Sequence, residues 1–550
     1  MKLKKLAPLF LAFAMVFALA ACGDEPAPPA SGSAEPTEDA QPADTTITTV
    51  EMWSFEDGFY PAYSPDHSSH GFTYYSRNFY DTLVVREGDE FLPSLAESWE
   101  ISDDGMSYTF HLREGVLFSD GAELTAEAVK TSVEAAIQNM GAYIGSFGRI
   151  GTLLESIEAA DELTVVFHLA SPYYGALNDL AMSNPMAIVS PNAFNEDLTV
   201  KDELLNQTMG TGPYMCAGDG DGTYYTFVAN PNYWGEAPDV TEFTVEVITD
   251  PEAAVLALRS GELDLIPGAS RLSFAGYSEL SEAEGFATMV DESVSNSRFI
   301  GFNTQAAPFD DLAVRQAVAQ ALDRETLSDT VFAGIETPSD ALIDRSLIYC
   351  DVDTVTYDYD LELAAAALED AGWTDSDGDG IREKDGASLS VTLDYITDQG
   401  SLDNAVLIME QTLEDIGFDV TLRGSDSVTW FTNIAMGDWD FTVHSTYGGY
   451  YYPYLTLTNM NPDTMGDPVL AQVAYFVDGG SELFAELDST SDLDRVAEIY
   501  AEALNAAADN AVLVPLTYVH QYAAYNTGKI ASFSFGSDQL FIEIANVVLA

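Results

Sequence analysis

The sequence predicts a mixed α/β (α+β) protein that folds into two lobes. It has 550 residues, and a single hydrophobic core stops growing near ~250–300 residues, so two cores or more are expected. Segments in which every second residue is apolar alternate with segments that have helical spacing. Apolar residues make up 47% of the chain, which suits a globular protein.

The first 21 residues predict a lipoprotein signal peptide. Three lysines precede an apolar run over Leu6–Ala21, which is short for a membrane span. The run closes with small residues before Cys22 and resembles a bacterial lipobox, whose cysteine is lipidated and becomes the mature N-terminus. Acyl chains, at ~0.8 kcal/mol per buried CH₂, would then hold the protein on a membrane. An ordinary signal cut near Ala21, with Cys22 incidental, is the alternative.

Residues 22–45 predict a disordered tether. They are rich in proline, alanine, serine and acidic residues and contain no aromatic residue, so they cannot build a core. A folded body is expected to begin at about residue 46, with 47–53 as its first strand. No later apolar stretch of the sequence is long enough to span a bilayer.

The charge balance excludes one class of partner. Twenty basic residues stand against 90 acidic ones, and the formal net charge is −70. Because so little of the chain can neutralise phosphates, nucleic acid is not expected as a partner. The acidic residues are spread along the chain, which indicates a strongly solvated surface; a site for a cationic ligand is the second interpretation. Cys216 and Cys350 are expected to pack as small apolar residues.

Local patterns predict the individual elements in order. Thr125 has the residue type and position of a helix N-cap, and glycines at 261, 372 and 417 stop three later helices. The predicted strands are 47–53, 108–113, 163–169, 263–266 and 389–395. The predicted helices are one that begins at 125, then 253–260, 361–371, 404–416 and 493–507, with an apolar run at 511–516.

Three groups of segments carry a family resemblance. In chain order they are Leu92–Trp99, Phe110–Val116 and Phe118–Gly121; Gly210–Tyr214, Asn230–Gly235 and Ser260–Asp264; and Phe302–Thr304, Pro308–Asp311 and Val314–Ala317. Together, over roughly residues 46–545, they resemble the large extracytoplasmic solute-binding proteins of ABC importers (family 5), which carry peptides, nickel chelates and related ligands. Most of these residues are expected to build scaffold, such as tight turns at glycine.

The resemblance implies a two-lobed periplasmic-binding-protein-like fold with a hinge and an interlobe cleft. On this basis lobe I covers 46–267, lobe II covers 268–518, and residues 519–550 return to lobe I. Closure of the lobes would bury a ligand in a cleft where polar contacts gain strength. The expected protein is a monomeric, lipid-anchored receptor on the outer face of the cytoplasmic membrane, which passes its ligand to an ABC permease.

Within the family, the C-terminal half is most similar to the nickel-binding branch. Gly437–Phe441 followed by Ser445–Pro453 resembles the aromatic-Gly-Ala-Pro-Tyr-Asp-Pro segment of that branch. The branch has a histidine further on, whereas this chain has Met465 near that place, and a thioether is a poor ligand for most divalent ions. A metal held by its own chelator is therefore the expected cargo. A short peptide, as in the oligopeptide- and dipeptide-binding proteins of the family, is the alternative.

Six residues are candidates for the ligand site. Tyr447 and Tyr451 would form an aromatic wall, and Arg149 would clamp a carboxylate. The full set is Tyr74, Arg149, Trp430, Tyr447, Tyr451 and Met465. Ordinary packing is the alternative interpretation of the aromatic residues.

A second site is predicted in an acidic turn. Asp375, Asp377, Asp379, Glu383 and the backbone carbonyl of Ile381 match the ligand positions in the first part of a calcium loop. The last position of such a loop needs a bidentate glutamate, and this chain has a glycine there. Calcium binding and a plain acidic turn both fit the pattern.

The motifs predict a binding protein and not an enzyme. The sequence has no Gly-rich phosphate loop, no Gly-x-Ser-x-Gly nucleophile elbow and no His-Glu-x-x-His. A glycosidase with paired carboxylates and a surface sensor or adhesin are the alternatives from other classes. No cofactor is required by this interpretation.

Overall fold

The structure is a computed structural model that describes residues 45–62, 71–218, 220–268, 270–397, 402–446, 453–463, 466–536, 538 and 540–550. These residues lie within one unit, Thr45–Ala550. Strands and helices alternate along it, as the mixed α/β prediction requires. No described helix has the length and apolar character needed to cross a membrane.

Short strands dominate the described chain, and two of them are much longer than the rest. In chain order the strands are β1 (Thr46–Glu51), β2 (Val84–Glu87), β3 (Glu90–Pro93), β4 (Ala96–Ile101), β5 (Ser107–Leu112), β6 (Leu154–Ala159), β7 (Thr164–Leu169), β8 (Tyr214–Cys216), β9 (Tyr224–Ala229), β10 (Glu242–Val247), β11 (Leu265–Pro267), β12 (Phe286–Phe302), β13 (Thr337–Pro338), β14 (Glu383–Lys384), β15 (Ala387–Ser388), β16 (Ser390–Ile396), β17 (Asp419–Ser425), β18 (Phe441–Ser445), β19 (Leu513–Asn526), β20 (Ile530–Ser532) and β21 (Val548–Leu549).

Most of the longer helices begin at a side-chain cap. Thr125 Oγ1 accepts the Ala128 N–H at 3.2 Å, as the sequence predicts. The α-helices are α1 (Gly71–Tyr75), α2 (Ala126–Met140), α3 (Ile150–Leu153), α4 (Ala176–Ala181), α5 (Ser183–Met186), α6 (Pro251–Ser260), α7 (Phe274–Ser281), α8 (Leu312–Gln320), α9 (Arg324–Thr330), α10 (Leu361–Asp370), α11 (Leu402–Glu414), α12 (Ser427–Ala435), α13 (Pro453–Thr458), α14 (Gly480–Leu487) and α15 (Leu493–Asp509).

Two four-stranded sheets organise the first half of the described chain. One has the strand order β1-β10-β9-β8 and the other β4-β5-β7-β6. In β5 and β7 every second residue is buried, and the rings of Phe110 and Phe167 meet edge to face at 5.6 Å. Strands β2 and β3 form a separate antiparallel hairpin.

A seven-stranded sheet links the two halves of the fold. Its order is β11-β19-β12-β18-β16-β17, and β13 pairs with β19. The long strands β12 and β19 run antiparallel, from the pair Phe286 and Asn526 at one end to the pair Gly301 and Leu513 at the other. Their length gives the sheet a central ladder that extends from the neighbourhood of β11 to that of β18.

Several separate cores lie in the described chain, as its length predicts. One surrounds the β4–β7 sheet and α2, and others fill the second half around α8, α11 and α15. Ile544 and Val547, near the C-terminus, are buried in the same core as Ile47 and Phe79. The boundaries 46–267, 268–518 and 519–550 stay predictions; residues are assigned to lobe I or lobe II by these boundaries.

The first strand is shorter than its apolar pattern predicts. It ends at Glu51 rather than Trp53 because the Glu51 carboxylate accepts the N–H groups of Met52 at 2.7 Å and Trp53 at 3.4 Å. A side chain that bonds the following backbone competes with the ladder. The glycine stop of α6 is confirmed, since Gly261 adopts a left-handed φ of 82°.

Candidate functional site

A cavity of about 770 Å³ lies between residues that the predicted boundaries assign to different lobes. On the lobe I side it is lined by Arg86–Asp89 of the β2–β3 hairpin and by residues of the C-terminal segment 534–546. On the lobe II side it is lined by Asp291–Val294 and by residues within 344–347. A cavity in this position has the size of a small-molecule or short-peptide site.

An irregularity in β12 shapes the lobe II wall. Val290 pairs with Tyr522 and Val294 with His520, so three residues of β12 lie opposite a single residue of β19. Asp291 Oδ1 accepts the Ser293 N–H at 2.9 Å and fixes this bulge. His520 Nδ1 lies 3.1 Å from the carbonyl oxygens of Asp291 and Ser293. The bulge therefore turns an acidic stretch out of the ladder and toward the cavity.

The lining of this cavity is strongly acidic, and we call it the acidic cavity. Its carboxyl groups come from four separate stretches of the chain: Glu87, Asp89, Asp291, Glu292, Asp344 and Asp538. Arg86 also borders it, with its guanidinium donating to Asn178 Oδ1 at 2.9 Å and to the Gly88 carbonyl at 2.7 Å. A cleft lined by one sign of charge concentrates ligands of the other sign.

Asp538 is the most enclosed carboxyl group of the lining. Its residue is 5% exposed, and burial raises its pKa to about 7 although Arg77 opposes the rise. Arg77 Nη2 lies 3.4 Å from Asp538 Oδ2, and the Arg77 guanidinium lies 4.5 Å from the centre of the Phe541 ring. Asp538 thus joins the cavity wall to a buried cationic and aromatic cluster of lobe I.

Arg149 directly bridges the two lobes. Its Nε donates to Asp488 Oδ2 at 3.1 Å and its Nη2 to the Thr458 carbonyl at 3.3 Å, while Nη1 donates to the Gly145 carbonyl at 2.7 Å. Asp488 also accepts a hydrogen bond from Asn461 at 3.3 Å. Burial raises the pKa of Asp488 despite the neighbouring guanidinium. The carboxylate at Arg149 in this structure is the chain's own, and the role of Arg149 as a clamp for a ligand stays a prediction.

Further hydrogen bonds join the lobes beside this bridge. The backbone N–H of Tyr174 donates to the Thr490 carbonyl at 2.8 Å, and the hydroxyls of Tyr174 and Tyr500 lie 3.0 Å apart. The Tyr454 hydroxyl lies 2.9 Å from Met182 Sδ. The two lobes are therefore in direct contact along one side of the molecule.

Tyr74 lies half-buried in an aromatic and charged cluster. Its ring stacks on Trp53 with centroids 5.5 Å apart, and the Arg271 guanidinium lies 4.4 Å from its centre. Arg271 also pairs with Glu51, a fully buried carboxyl whose pKa is raised by burial. Tyr74 therefore packs where the end of β1 meets the segment after β11, and its contact with a ligand stays a prediction.

Trp430 lies inside the lobe II core. It is 3% exposed, its indole N–H donates to Thr442 Oγ1 at 3.0 Å, and its ring centre lies 4.8 Å from that of His444. This environment is that of a packing residue, and a role in ligand binding stays a prediction. Tyr447, Tyr451 and Met465 lie outside the described residues.

The acidic turn brings its carboxylates together as a cation site would need. Oxygen atoms of Asp375, Asp377, Asp379 and Glu383 lie within 4.8 Å of one another, with Ile381 between the last two. Gly380, at the bend, has a φ of 98°. Asp375 also accepts backbone N–H groups within the turn, from Gly378 at 2.6 Å and Gly380 at 3.1 Å. Calcium binding here stays a prediction.

Sequence reasoning did not find the acidic cavity or Asp488. The chain has 90 acidic residues spread along its length. Nothing in the local sequence distinguishes the acidic residues that meet at the cavity from the others. One available signal was the stretch Asp291-Glu292-Ser293, which interrupts an apolar strand pattern and so predicts a bulge. The other acidic lining residues, Glu87, Asp344 and Asp538, are brought to the cavity by tertiary folding alone.

Comparison with known proteins identifies the family. The profile of the bacterial extracellular solute-binding proteins, family 5 (middle region), matches residues 90–467, which is more than half of the chain. The chain belongs to this family. Two-lobed periplasmic binding proteins define the class, and the fold described above is of that kind.

Three relatives illustrate the range of the family. The chain is 29% identical over 442 residues to the nickel-binding periplasmic protein of Escherichia coli (80% of this chain, 83% of the relative). It is 29% identical over 464 residues to the oligopeptide-binding protein AppA of Bacillus subtilis (80% of each). The crystal structure of NikA from Brucella suis in complex with Fe(III)-EDTA superposes with a TM-score of 0.83 at 27% identity, covering 92% of this chain and all of that one.

Proposed function

We propose that this chain is the substrate-binding lipoprotein of an ABC importer. It captures a small extracellular ligand, either a metal chelate or a short peptide, and delivers that ligand to a permease in the membrane. One observation carries the proposal: the acidic cavity lies between the two lobes of a chain that belongs to a solute-binding family. Pockets between domains are the usual ligand sites of such folds.

Ligand capture would use β12 and β19 as the hinge. These strands connect the surroundings of β11 with those of β18, so a change of twist along them would change the angle between the lobes. Arg149 and Asp488 meet at 3.1 Å in this structure, and we propose that this contact belongs to the closed arrangement, in which an enclosed ligand would exchange water for fixed polar groups. A permease that recognises the closed form would then receive loaded protein in preference to empty protein.

A metal chelate is the first candidate ligand. Its support is the similarity to the nickel-binding protein of Escherichia coli and to the Brucella NikA bound to Fe(III)-EDTA. A short peptide is the second candidate, supported by the equal identity to the oligopeptide-binding AppA. The contact residues predicted from the sequence are Tyr74, Arg149, Trp430, Tyr447, Tyr451 and Met465. Tyr74, Arg149 and Trp430 are described by the structure and do not line the acidic cavity, so for a ligand in that cavity the proposed contacts are its own lining residues.

We also propose the location and state of the protein. The lipobox-like ending at Cys22 would attach it to the outer face of the cytoplasmic membrane. We propose that it acts as a monomer. It would release its ligand chemically unchanged, because the relatives are named as binding proteins. A bound calcium at the acidic turn would be structural.

Native mass spectrometry and metal analysis of the protein purified from its host test this function. We expect a bound small molecule of defined mass that leaves the protein unaltered, with stoichiometric metal if the ligand is a chelate. A ladder of bound peptides without metal would replace the chelate by the peptide interpretation. A product chemically different from the ligand supplied would contradict a binding function. Normal uptake of the ligand after deletion would instead favour a sensor or adhesin.

A further inference from the structure

The contact between the predicted lobes places two carboxyl groups around one guanidinium group. Asp179 of α4 belongs to lobe I and is fully buried, and Asp488, directly after α14, belongs to lobe II and is partly buried. Arg149 lies between them, because its backbone N–H donates to Asp179 Oδ2 at 2.7 Å and its Nε donates to Asp488 Oδ2 at 3.1 Å. The cluster therefore carries one positive charge and, when both carboxyl groups are ionised, two negative charges.

Lobe II also contributes directly to the surroundings of Asp179. The side chain of Tyr454, from α13, forms a hydrogen bond with Asp179, and its hydroxyl also lies 2.9 Å from Met182 Sδ of lobe I. On the lobe I side, the Tyr173 hydroxyl donates to Asp179 Oδ1 at 3.4 Å. Separation of the lobes would remove Tyr454 from Asp179 and would admit water to this contact.

The other groups around the two carboxyls do not supply a second free charge. In the described chain the titratable groups that face them, besides Arg149, are Tyr108, Tyr173, Tyr174, Tyr454, Tyr500 and Arg86. Burial raises the pKa of Tyr108 to about 12 and those of Tyr173 and Tyr500 well above the ordinary tyrosine value, so these hydroxyls stay protonated near neutral pH. The Arg86 guanidinium bonds to Asn178 and lies 3.4 Å from Asp89, which offsets its charge.

The charge balance of the cluster therefore differs between lobes in contact and lobes apart. In contact, burial raises the pKa of Asp488 despite the neighbouring guanidinium and raises that of Asp179 to about 7. One guanidinium offsets one buried carboxylate, so the second carboxyl group is more stable with a proton. When the lobes separate, Asp488 would regain its hydration while Arg149 stayed beside Asp179, and neither carboxyl group would then need a proton.

We infer that closure of the two lobes takes up one proton from the solvent, which is held on Asp179, so that mildly acidic conditions favour the closed form. This inference rests on the proposed function, because closure is the step that encloses the ligand, and it adds a regulation of that step. The contribution of Asp179 to closure is complete below its ordinary pKa near 3.8 and is lost as pH rises toward 7. Within this window the ratio of open to closed form should rise by up to about tenfold per pH unit.

Small-angle X-ray scattering at a series of pH values tests the inference on the mature protein without added ligand. We expect a larger radius of gyration at pH 8 than at pH 5, with an open-to-closed ratio at least about tenfold higher, and a change that reverses when the pH is returned. Because no ligand is added, the result does not depend on which ligand the protein carries.

Asp179→Asn removes the group that takes up the proton. The two backbone N–H groups from Arg149 and Ile150 both donate to Oδ2, so a single amide oxygen can accept both and the variant should fold. Its radius of gyration should be the same at pH 5 and pH 8, with the open-to-closed ratio constant within about twofold. The matched control is Asp103→Asn, which removes the same charge from an exposed position of lobe I and should keep the full response to pH.

Tyr454→Phe provides a second variant that leaves every charge in place. Loss of the hydroxyl removes a hydrogen bond that favours the ionised form of Asp179, so the pH midpoint of opening should move upward. If Tyr454 acted through packing alone, the extent of closure would change while the midpoint stayed in place.

Each outcome decides the question. A radius of gyration that did not change with pH in the unaltered protein, or that decreased as pH rose, would overturn the inference. A full response in folded Asp179→Asn, or an unchanged or lowered midpoint in Tyr454→Phe, would overturn it as well. Loss of the response in Asp103→Asn would assign the effect to total charge and would also contradict it. The proposed function would stand in all of these cases, because it depends on the bound molecule detected by native mass spectrometry.

Discussion

Buried carboxyl groups in this protein keep their protons to unusually high pH. Burial raises the pKa of Asp179 and of Asp538 to about 7. Asp179 accepts two backbone N–H groups, from Arg149 and Ile150, and Asp538 has Arg77 nearby, yet in both cases loss of hydration dominates. Because these two pKa values are raised to about 7, the free energy of unfolding should decrease as pH rises toward 7.

Replacement of Asp538 by asparagine should flatten part of the pH dependence of stability. The folded-state pKa of Asp538 is about 7 and lies above the unfolded value near 3.8, so its stabilising contribution is complete below the unfolded value. That contribution is lost as pH rises toward 7, at ~1.4 kcal/mol per pH unit. The apparent melting temperature should therefore fall between pH 5 and pH 8 by a few degrees less in Asp538→Asn than in the unaltered protein.

The exposed Asp103 offers the matched control. Asp103→Asn makes the same chemical change on the surface and should leave the difference between pH 5 and pH 8 unchanged. If Asp538→Asn retained the full drop, the buried carboxyl would be ionised throughout this range. The link between its burial and its protonation would then be wrong.

At the scale of elements, features set by a few neighbouring residues could be predicted from the sequence, whereas features set by tertiary contacts could not. The N-cap of α2 and the glycine stop of α6 could be predicted because both are decided within a few residues. The 17-residue strand β12 could not, since Asp291–Ser293 breaks its alternation and its partner β19 lies more than 200 residues away. The candidate site depends on that bulge, which explains why its wall escaped sequence reasoning.

The acidic turn before β14 should bind calcium. Its four carboxylates already lie within 4.8 Å of one another, so a divalent cation would relieve their repulsion. Addition of millimolar calcium should raise the melting temperature of the unaltered protein. Asp377→Asn with Asp379→Asn should abolish the increase, whereas Glu97→Gln with Glu100→Gln, at exposed positions of β4, should not. An equal increase in all three proteins would identify general screening of negative charge and contradict a specific site.

At the scale of the whole molecule, the Arg149–Asp488 bridge joins the two predicted lobes in this structure. It joins residues of the two predicted lobes at 3.1 Å, and the Tyr174 bonds to Thr490 and Tyr500 lie beside it. The pair of Arg271 with Glu51 also crosses the predicted boundary at residue 267. An enclosed pair of this kind is costly to break on one side only. We therefore expect it to influence the balance between open and closed forms.

Asp488→Asn should shift that balance toward the open form. The amide keeps the shape of the side chain but loses the charge, so the closed form loses more than the open one. Small-angle X-ray scattering should give a larger radius of gyration for the empty variant, and a bound ligand should dissociate several-fold faster. Asp494→Asn, on the exposed first turn of α15, is the control and should change neither quantity.

The opposite result would be equally informative. If Asp488→Asn bound a carboxylate-bearing ligand more tightly, the freed guanidinium would be acting on the ligand. Arg149 would then be the carboxylate clamp that the sequence predicts, and the bridge would be its competitor.

The paired strands β12 and β19 also restrict how the halves can move. Twelve residue pairs hold the ladder in register, and a slip by one residue would turn every side chain to the wrong face, so sliding is disallowed. Bulges, by contrast, accept extra twist at small cost. We therefore expect the two lobes to rotate about the β12–β19 ladder rather than to slide along it. Ligand release would then require the reverse of the rotation that admitted the ligand.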